Sequence, residues 1–162
     1  MMTFEQLYQT YFDDVFRFAV WLTHDRSEAE DTASETFVRA WAGRDRLRTE
    51  TLKAYLLAIA RNLVLDRRRK TANHEKLTGE LPDLAPDPQR RAAARAELDR
   101  VTRVLAELPE VERTALVLRT EHGLPHSEIA RVLETSEGAA RVRVHRARRR
   151  LLEDAMTTQG GV

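Results

Sequence analysis

Residues 127–150 read SEIARVLETSEGAARVRVHRARRR. Ile129 to Leu133 carries a short apolar period, Glu134 to Ser136 is polar and turn-like, and beyond it Ala140, Val144, Ala147 and Leu151 recur at helical spacing. The pattern predicts a short helix from Glu128 to Leu133 with Ser127 as N-cap, a turn, and a longer helix from Glu137 to Asp154. This is the order of a helix-turn-helix, whose second helix enters the major groove of DNA. Ala130 is small enough to let the two helices cross closely. Opposite the apolar stripe the second helix carries Glu137, Arg141, His145 and Arg148, flanked by Val142, Arg146 and Arg149. Arg141, Val142 and His145 are placed for base edges, because arginine bonds guanine bidentately, whereas Arg146, Arg148 and Arg149 suit phosphates, which position a protein without reading sequence. The competing reading is a solvated arginine face that pairs with acidic groups elsewhere in the chain.

Those acidic groups lie at the other end. Residues 1–50 hold 6 basic and 10 acidic side chains and residues 51–75 hold 6 and 2, a segregation that the net charge of +1 conceals. Two separate basic patches, after the acidic segment and near the C-terminus, point to two contacts with a polyanion. Between them Pro82, Pro86 and Pro88 crowd behind Gly79, and no helical period survives there. The expectation is a first lobe over residues 1–75, a linker over 76–92, a second lobe over 93–156 and a disordered tail over 157–162. Each lobe is small enough to bury only about 60% of its unfolded surface, so docking on a larger body helps both.

In the first lobe Phe4, Leu7, Tyr11, Val15, Phe18 and Leu22 line one face of a helix that ends near Thr23 to Arg26. A second helix is expected from Ser27 as N-cap, with Glu30 at capping-box spacing, a buried stripe of Ala29, Ala33, Phe37 and Trp41, and Gly43 at its end. Its other face carries Glu28, Asp31, Ser34, Glu35 and Arg39. After the polar loop Arg44 to Glu50, the run Leu52, Tyr55, Leu56, Ile59 and Leu63 gives a third helix that ends in Asp66-Arg67-Arg68-Arg69-Lys70. In the second lobe Leu98, Val101, Leu105 and Leu108 define a helix stopped by Pro109, and Val111 to Arg119 another. The fold class is all-α, in two small helical lobes.

Composition narrows the function. Six glycines and five prolines in 162 residues fall well short of the usual share of turn formers, roughly 12%, and favour long helices. The absence of cysteine excludes disulfides, thiolate metal sites and a thiol nucleophile. No uncharged stretch approaches the roughly 20 residues that cross a bilayer, and the opening Met-Met-Thr-Phe-Glu lacks the pattern of a secretory signal. A cytoplasmic protein without membrane insertion is expected. His122 and His126 are separated by Gly123 and Pro125, which argue against one helical metal-binding face, and Glu28, Asp31 and Glu35 read as a polar binding face. Neither a Gly-rich phosphate loop nor a nucleophile motif occurs. No catalytic residue, cofactor or metal is expected.

From Phe4 to about Leu152 the chain resembles a bacterial sigma factor of the extracytoplasmic-function (ECF) group. Three segments carry the resemblance: Ala29 to Trp41, similar to the region 2 helix that grips the polymerase β′ clamp; Tyr55-Leu56 with Ile59-Ala60-Arg61-Asn62 and Asp66, similar to the helix that meets the minus-10 element; and Ser127 to Arg148, similar to the region 4 helix-turn-helix. The resemblance implies that Glu30, Asp31, Ser34, Glu35 and Arg39 meet core RNA polymerase. It implies that Lys53, Arg61, Asn62, Arg68 and Arg69 hold minus-10 DNA, with the loop Arg44 to Glu50 accepting a flipped-out base. Glu137, Arg141, Val142, His145, Arg146 and Arg149 then bind the minus-35 duplex. The partners implied are core polymerase, through its β′ clamp and β flap, promoter DNA and an anti-sigma factor. Ser34 departs from the family's usual Gln, Glu134 from the usual turn Gly, and Ala139 and Val142 from small hydroxyl residues. A left-handed Glu134 costs about 1 kcal/mol, and the lost hydroxyls remove hydrogen bonds that read bases. The alternatives are an autonomous helix-turn-helix repressor binding its operator as a dimer, and a helical adaptor that binds protein only.

Overall fold

The computed structural model describes residues 2–71, 99–101 and 103–159. Every regular element among them is helical, and the chain divides into two compact units, Met1–Asp83 and Leu84–Val162. The expected linker, 76–92, lies outside the described residues.

The first unit packs α1 (Phe4–Thr23), α2 (Arg26–Ala42) and α3 (Leu52–Lys70), each against the other two. Two 3-10 turns, Arg44–Arg46 and Thr49–Thr51, carry the chain from α2 to α3. α1 opens on a capping box: the Thr3 hydroxyl accepts from Gln6 N at 3.1 Å and Gln6 Oε1 accepts from Thr3 N at 2.9 Å. It ends at His24, whose backbone is left-handed with φ 53°. The chain re-enters a helix at once, and Asp25, not Ser27, is the N-cap of α2, its carboxylate accepting from Glu28 N at 3.1 Å. Asp25 is fixed in place by its own N–H, which donates to Thr23 Oγ1 at 3.2 Å, and a carboxylate suits the positive end of the helix better than a hydroxyl.

Leu7, Val15, Phe18 and Leu22 of α1, Ala29, Ala33 and Phe37 of α2, and Leu52, Leu56 and Leu63 of α3 are buried. The stripe of α2 differs from expectation at its end, where Ala40 is buried and Trp41 only half-buried. Thr32 and Thr36 join that stripe without an unmet polar group, since their hydroxyls donate to the carbonyls of Glu28 and Thr32 at 2.8 and 2.7 Å. Along α1 the rings of Phe4, Tyr8, Phe12 and Phe16 follow at successive turns with centroids 6.1, 4.8 and 5.8 Å apart. Phe37 and Trp41 of α2 meet them at 5.1 and 5.6 Å. Contacts of this kind contribute about 0.5–1.5 kcal/mol each beyond the area they bury.

The second unit contains α4, described over 99–101 and 103–106, then α5 (Glu110–Thr120), α6 (His126–Leu133) and α7 (Glu137–Gln159). Pro109 is the N-cap of α5. Pro125 is the N-cap of α6, its carbonyl accepting from Glu128 N and Ile129 N at 3.0 Å each. The expected cap, Ser127, therefore sits inside the first turn, because proline's fixed φ starts the helix earlier. Glu134 takes the left-handed conformation with φ 55°, and Thr135 N donates to Ala130 O at 2.9 Å to close the turn. Ser136 then caps α7, its Oγ accepting from Ala139 N at 3.1 Å. Ile129, Val132 and Leu133 of α6, Ala140, Val144 and Ala147 of α7, and Ala115, Leu116 and Leu118 of α5 are buried in one core. Leu151 is half-buried. α7 runs past Asp154 to Gln159, so residues 157–159 of the expected disordered tail are helical. Neither glycine nor proline lies between Asp154 and Gly160, and the Thr157 hydroxyl donates to Glu153 O at 2.9 Å.

Candidate polymerase and DNA interfaces

The buried stripe of α2 turns its opposite face outward, and Glu30, Asp31, Ser34, Glu35 and Arg39 are all exposed there. Neighbouring cations hold the carboxylates loosely: Arg26 lies 3.8 Å from Glu30, and Arg39 2.9 Å from Glu35. Arg67 of α3 reaches across to Glu28 at 3.4 Å and Glu35 at 4.0 Å. Asp25, Ser27, Glu28, Asp31, Glu35 and Arg67 thus line an open depression between the two helices. Val38 stands in the middle of this polar face and is 63% exposed. Sequence reasoning passed over it, although it is out of phase with Ala33, Phe37 and Ala40, and that phase was the signal.

The basic residues of α3 are not brought together. Asn62 and Arg69 are exposed, with Arg69 Nη2 3.1 Å from Asp66 Oδ1. Lys53 lies on another side of the helix, its Nζ 3.6 Å from Asp14 Oδ1 of α1. Arg68 is half-buried and donates from Nη2 to the carbonyl of Leu22, one of the open acceptors at the end of α1. Arg61 is 7% exposed, which corrects its expected place on DNA: it falls in helical phase with the buried Ala54, Leu57 and Val64, and so the packing of α3 takes it inward.

On α7, by contrast, Glu137, Arg141, Val142, His145, Arg146 and Arg149 are all exposed. Arg141 Nη2 lies 3.5 Å from Glu137, Arg149 Nε 3.6 Å from Glu153, and Arg146 Nη1 3.9 Å from Glu112 of α5. The two pairs on α7 itself are exposed and contribute at most about 1 kcal/mol each. Glu112, though half-buried, lies at the limit of an ion pair from an Arg146 side chain that is itself exposed, so the guanidiniums remain available to a phosphate or a base. His126, at the start of α6, belongs to the same basic field. Burial first, and then the positive charges of Arg119, Arg141 and Arg148, push its pKa below the ordinary histidine value. Arg119 is itself held by the carbonyl of Leu124 at 3.0 Å.

A cavity of about 240 Å³ beside the loop from α2 to α3 is lined by Met2, Leu7, Trp41, Arg44, Leu47, Thr49 and Leu52. The Arg44 guanidinium lies 4.9 Å from the centre of the Trp41 ring and covers that face of it. Among the described residues no cluster of three or more His, Asp or Glu is arranged to hold a metal ion, and no helix is long and apolar enough to cross a membrane.

Residues 7–74 match the family model described as Sigma-70 region 2, and residues 98–151 match Sigma-70, region 4. The ECF RNA polymerase sigma factor SigM of Bacillus subtilis (strain 168) is 32% identical over 152 residues, covering 93% of each chain. The chain belongs to the ECF RNA polymerase sigma factors. As a sigma factor it binds core RNA polymerase and directs promoter-specific initiation of transcription. The ECF sigma factor SigC of Mycobacterium tuberculosis (strain CDC 1551 / Oshkosh) is 37% identical over 144 residues, 88% of this chain and 77% of that one. Among solved structures, the sigma factor RpoE in complex with the anti-sigma factor NepR from Bartonella quintana matches with a TM-score of 0.74 and 25% identity, over 94% of this sigma factor and 96% of that chain. Region 2 thus takes in most of α1 and all of α2 and α3, and region 4 takes in α4, α5, α6 and most of α7.

Proposed function

We propose that the exposed face of α2, with Glu30, Asp31, Ser34, Glu35 and Arg39 around Val38, is the surface that grips the β′ clamp of core RNA polymerase. The carboxylates supply electrostatic complementarity to a basic partner, and Val38 supplies apolar area at its centre. The exposed side of α3, with Asn62 and Arg69, takes the opened minus-10 strand. A base extruded from that strand lies in the cavity beside Trp41, where stacking on the Arg44 guanidinium that covers the indole offsets part of the few kcal/mol of unstacking. α7 enters the major groove of the minus-35 element, with Arg141 and Val142 toward the bases and Arg146 and Arg149 toward phosphates. The first unit, residues 1–75, then serves polymerase and the minus-10 element, and the second, residues 93–156, serves the minus-35 element and the β flap. The likeness to a sigma factor held by NepR supports control of this chain by an anti-sigma factor. The chain carries no catalysis of its own and acts in the cytoplasm, where core polymerase and DNA are.

The observation that carries this reading is the exposure of all six residues on the outward face of α7, opposite a fully packed core. The test mixes the purified chain with core polymerase and a genomic promoter library and sequences the 5′ ends of the transcripts. Promoter-dependent starts that share a minus-35 element support the assignment. Tight binding to one operator without polymerase, and no new starts with it, points to a repressor instead.

A further inference from the structure

We infer that Val142, beside the bare backbone of Gly138, is a specificity-determining residue that seats the C5-methyl of one thymine in the minus-35 element. The inference rests on α7 being the recognition helix, as proposed above. Val142 stands opposite the buried line Ala140, Val144 and Ala147, at the centre of the outward face, and is 45% exposed. Gly138 is its neighbour one turn back. A Cβ at Gly138 would meet nothing within 4 Å, so no contact inside the chain calls for glycine there, although glycine is a poor helix former. What its absent side chain leaves open is access from outside. Gly138, the half-buried Ala139 and Val142 make an uncharged strip in the first turns of α7, the part of a recognition helix that meets base edges.

The chemistry of that strip selects one ligand. Arg141, paired to Glu137 at 3.5 Å, and Arg146, His145 and Arg149 border it with polar groups. Val142 offers only two γ-methyls, held by its β-branch in one strongly preferred rotamer within a helix. Guanine, adenine and cytosine show it only donors and acceptors that it cannot bond, with no methyl to offset them. The thymine methyl is the one apolar group on the floor of the major groove. The exposed Leu152 and Met156 lie farther along α7, beyond its base-reading turns.

The test uses holoenzyme reconstituted from the full chain and core polymerase, on a promoter it selects from a genomic library. Each thymine of the minus-35 element is replaced in turn by deoxyuridine, which removes only the methyl. At one position affinity should fall about fourfold, the effect of returning one methyl, about 0.8 kcal/mol, to water. Holoenzyme carrying Val142→Ala should bind the thymine and uracil forms equally there; Val142 is exposed, so the substitution leaves the fold intact. If no methyl in the element matters, or if the fourfold loss persists undiminished in Val142→Ala, the inference is overturned while the recognition-helix reading stands. If holoenzyme selects no promoter, that reading fails first and takes the inference with it.

Discussion

α3 and α7 are both long, arginine-rich helices, yet they dispose of their charge in opposite ways. α3 packs against α1 and α2 together, and most of its cations are drawn into holding the unit: Arg61 is buried, Arg68 closes the end of α1, Lys53 meets Asp14, and Arg67 ties down Glu28 and Glu35. α7 also packs against two helices, α5 and α6, but through one stripe of small apolar residues, and Arg141, Arg146, Arg148 and Arg149 lie exposed outside that stripe, while Arg150 is held at 2.9 Å by Glu107. A basic run in a sequence is therefore not yet a DNA surface. How many of a helix's cations fall in or beside its buried phase decides how much of its charge is left to give.

The sharpest way to break this contrast is Arg61→Ala. If the residue is structural, the first unit should lose roughly 3 kcal/mol, at the upper end of ordinary substitutions and in keeping with the packing that a long buried side chain supplies. Amide hydrogen exchange, read helix by helix, should then show faster opening of α1 to α3 and unchanged protection in α5 to α7. A variant that exchanges like the parent but fails on minus-10 DNA would return Arg61 to the DNA surface. On α7, Arg141→Ala should cost about 2 kcal/mol at one base pair and relax preference there. Arg149→Ala should weaken every promoter by a few-fold and reduce the salt slope by about 1. Equal losses on all sequences for both variants would remove the division between base and phosphate contacts.

Asp31→Ala with Glu35→Ala should weaken core polymerase binding about tenfold while leaving exchange protection unchanged, because both carboxylates are exposed opposite the buried stripe; unchanged affinity in a pull-down would reassign that face. The smallest effect concerns His126. Its pKa is lowered in the folded chain, so just below pH 6.5 the unfolded form takes up a proton that the folded form does not. Stability of the second unit should consequently fall slightly as the pH drops from about 6.5 to the folded value, and then level off. Exchange rates of α6 and α7 at pH 7 and pH 5.5, corrected for intrinsic exchange, should show the decline in the parent and less of it in His126→Gln.

The helical periods of α1, α3, α6 and α7 were legible because their apolar residues are large or regularly spaced, and so was the strained turn at Glu134. The caps were misread where two good candidates lie close together: Asp25 against Ser27, and Pro125 against Ser127. There backbone geometry decides, and not residue preference alone. Arg61 was expected on DNA only by resemblance to the minus-10 helix, and resemblance carries no burial; its phase with Ala54, Leu57 and Val64 takes it inward. Val38 was passed over for the opposite reason, an apolar residue off phase. The segregation of carboxylates onto α2 and guanidiniums onto α7 was plain from composition, but which cations are consumed within the fold is a property of contacts between helices.

Both tryptophans, Trp21 and Trp41, lie in the first unit, and Trp41 borders the cavity beside the loop to α3. The intrinsic fluorescence of the isolated chain consequently reports on one half alone. Single-stranded DNA whose base enters that cavity should quench the emission of the indole that borders it, whereas a duplex bound only through α7 should leave it unchanged, giving a label-free optical separation of strand capture from duplex docking.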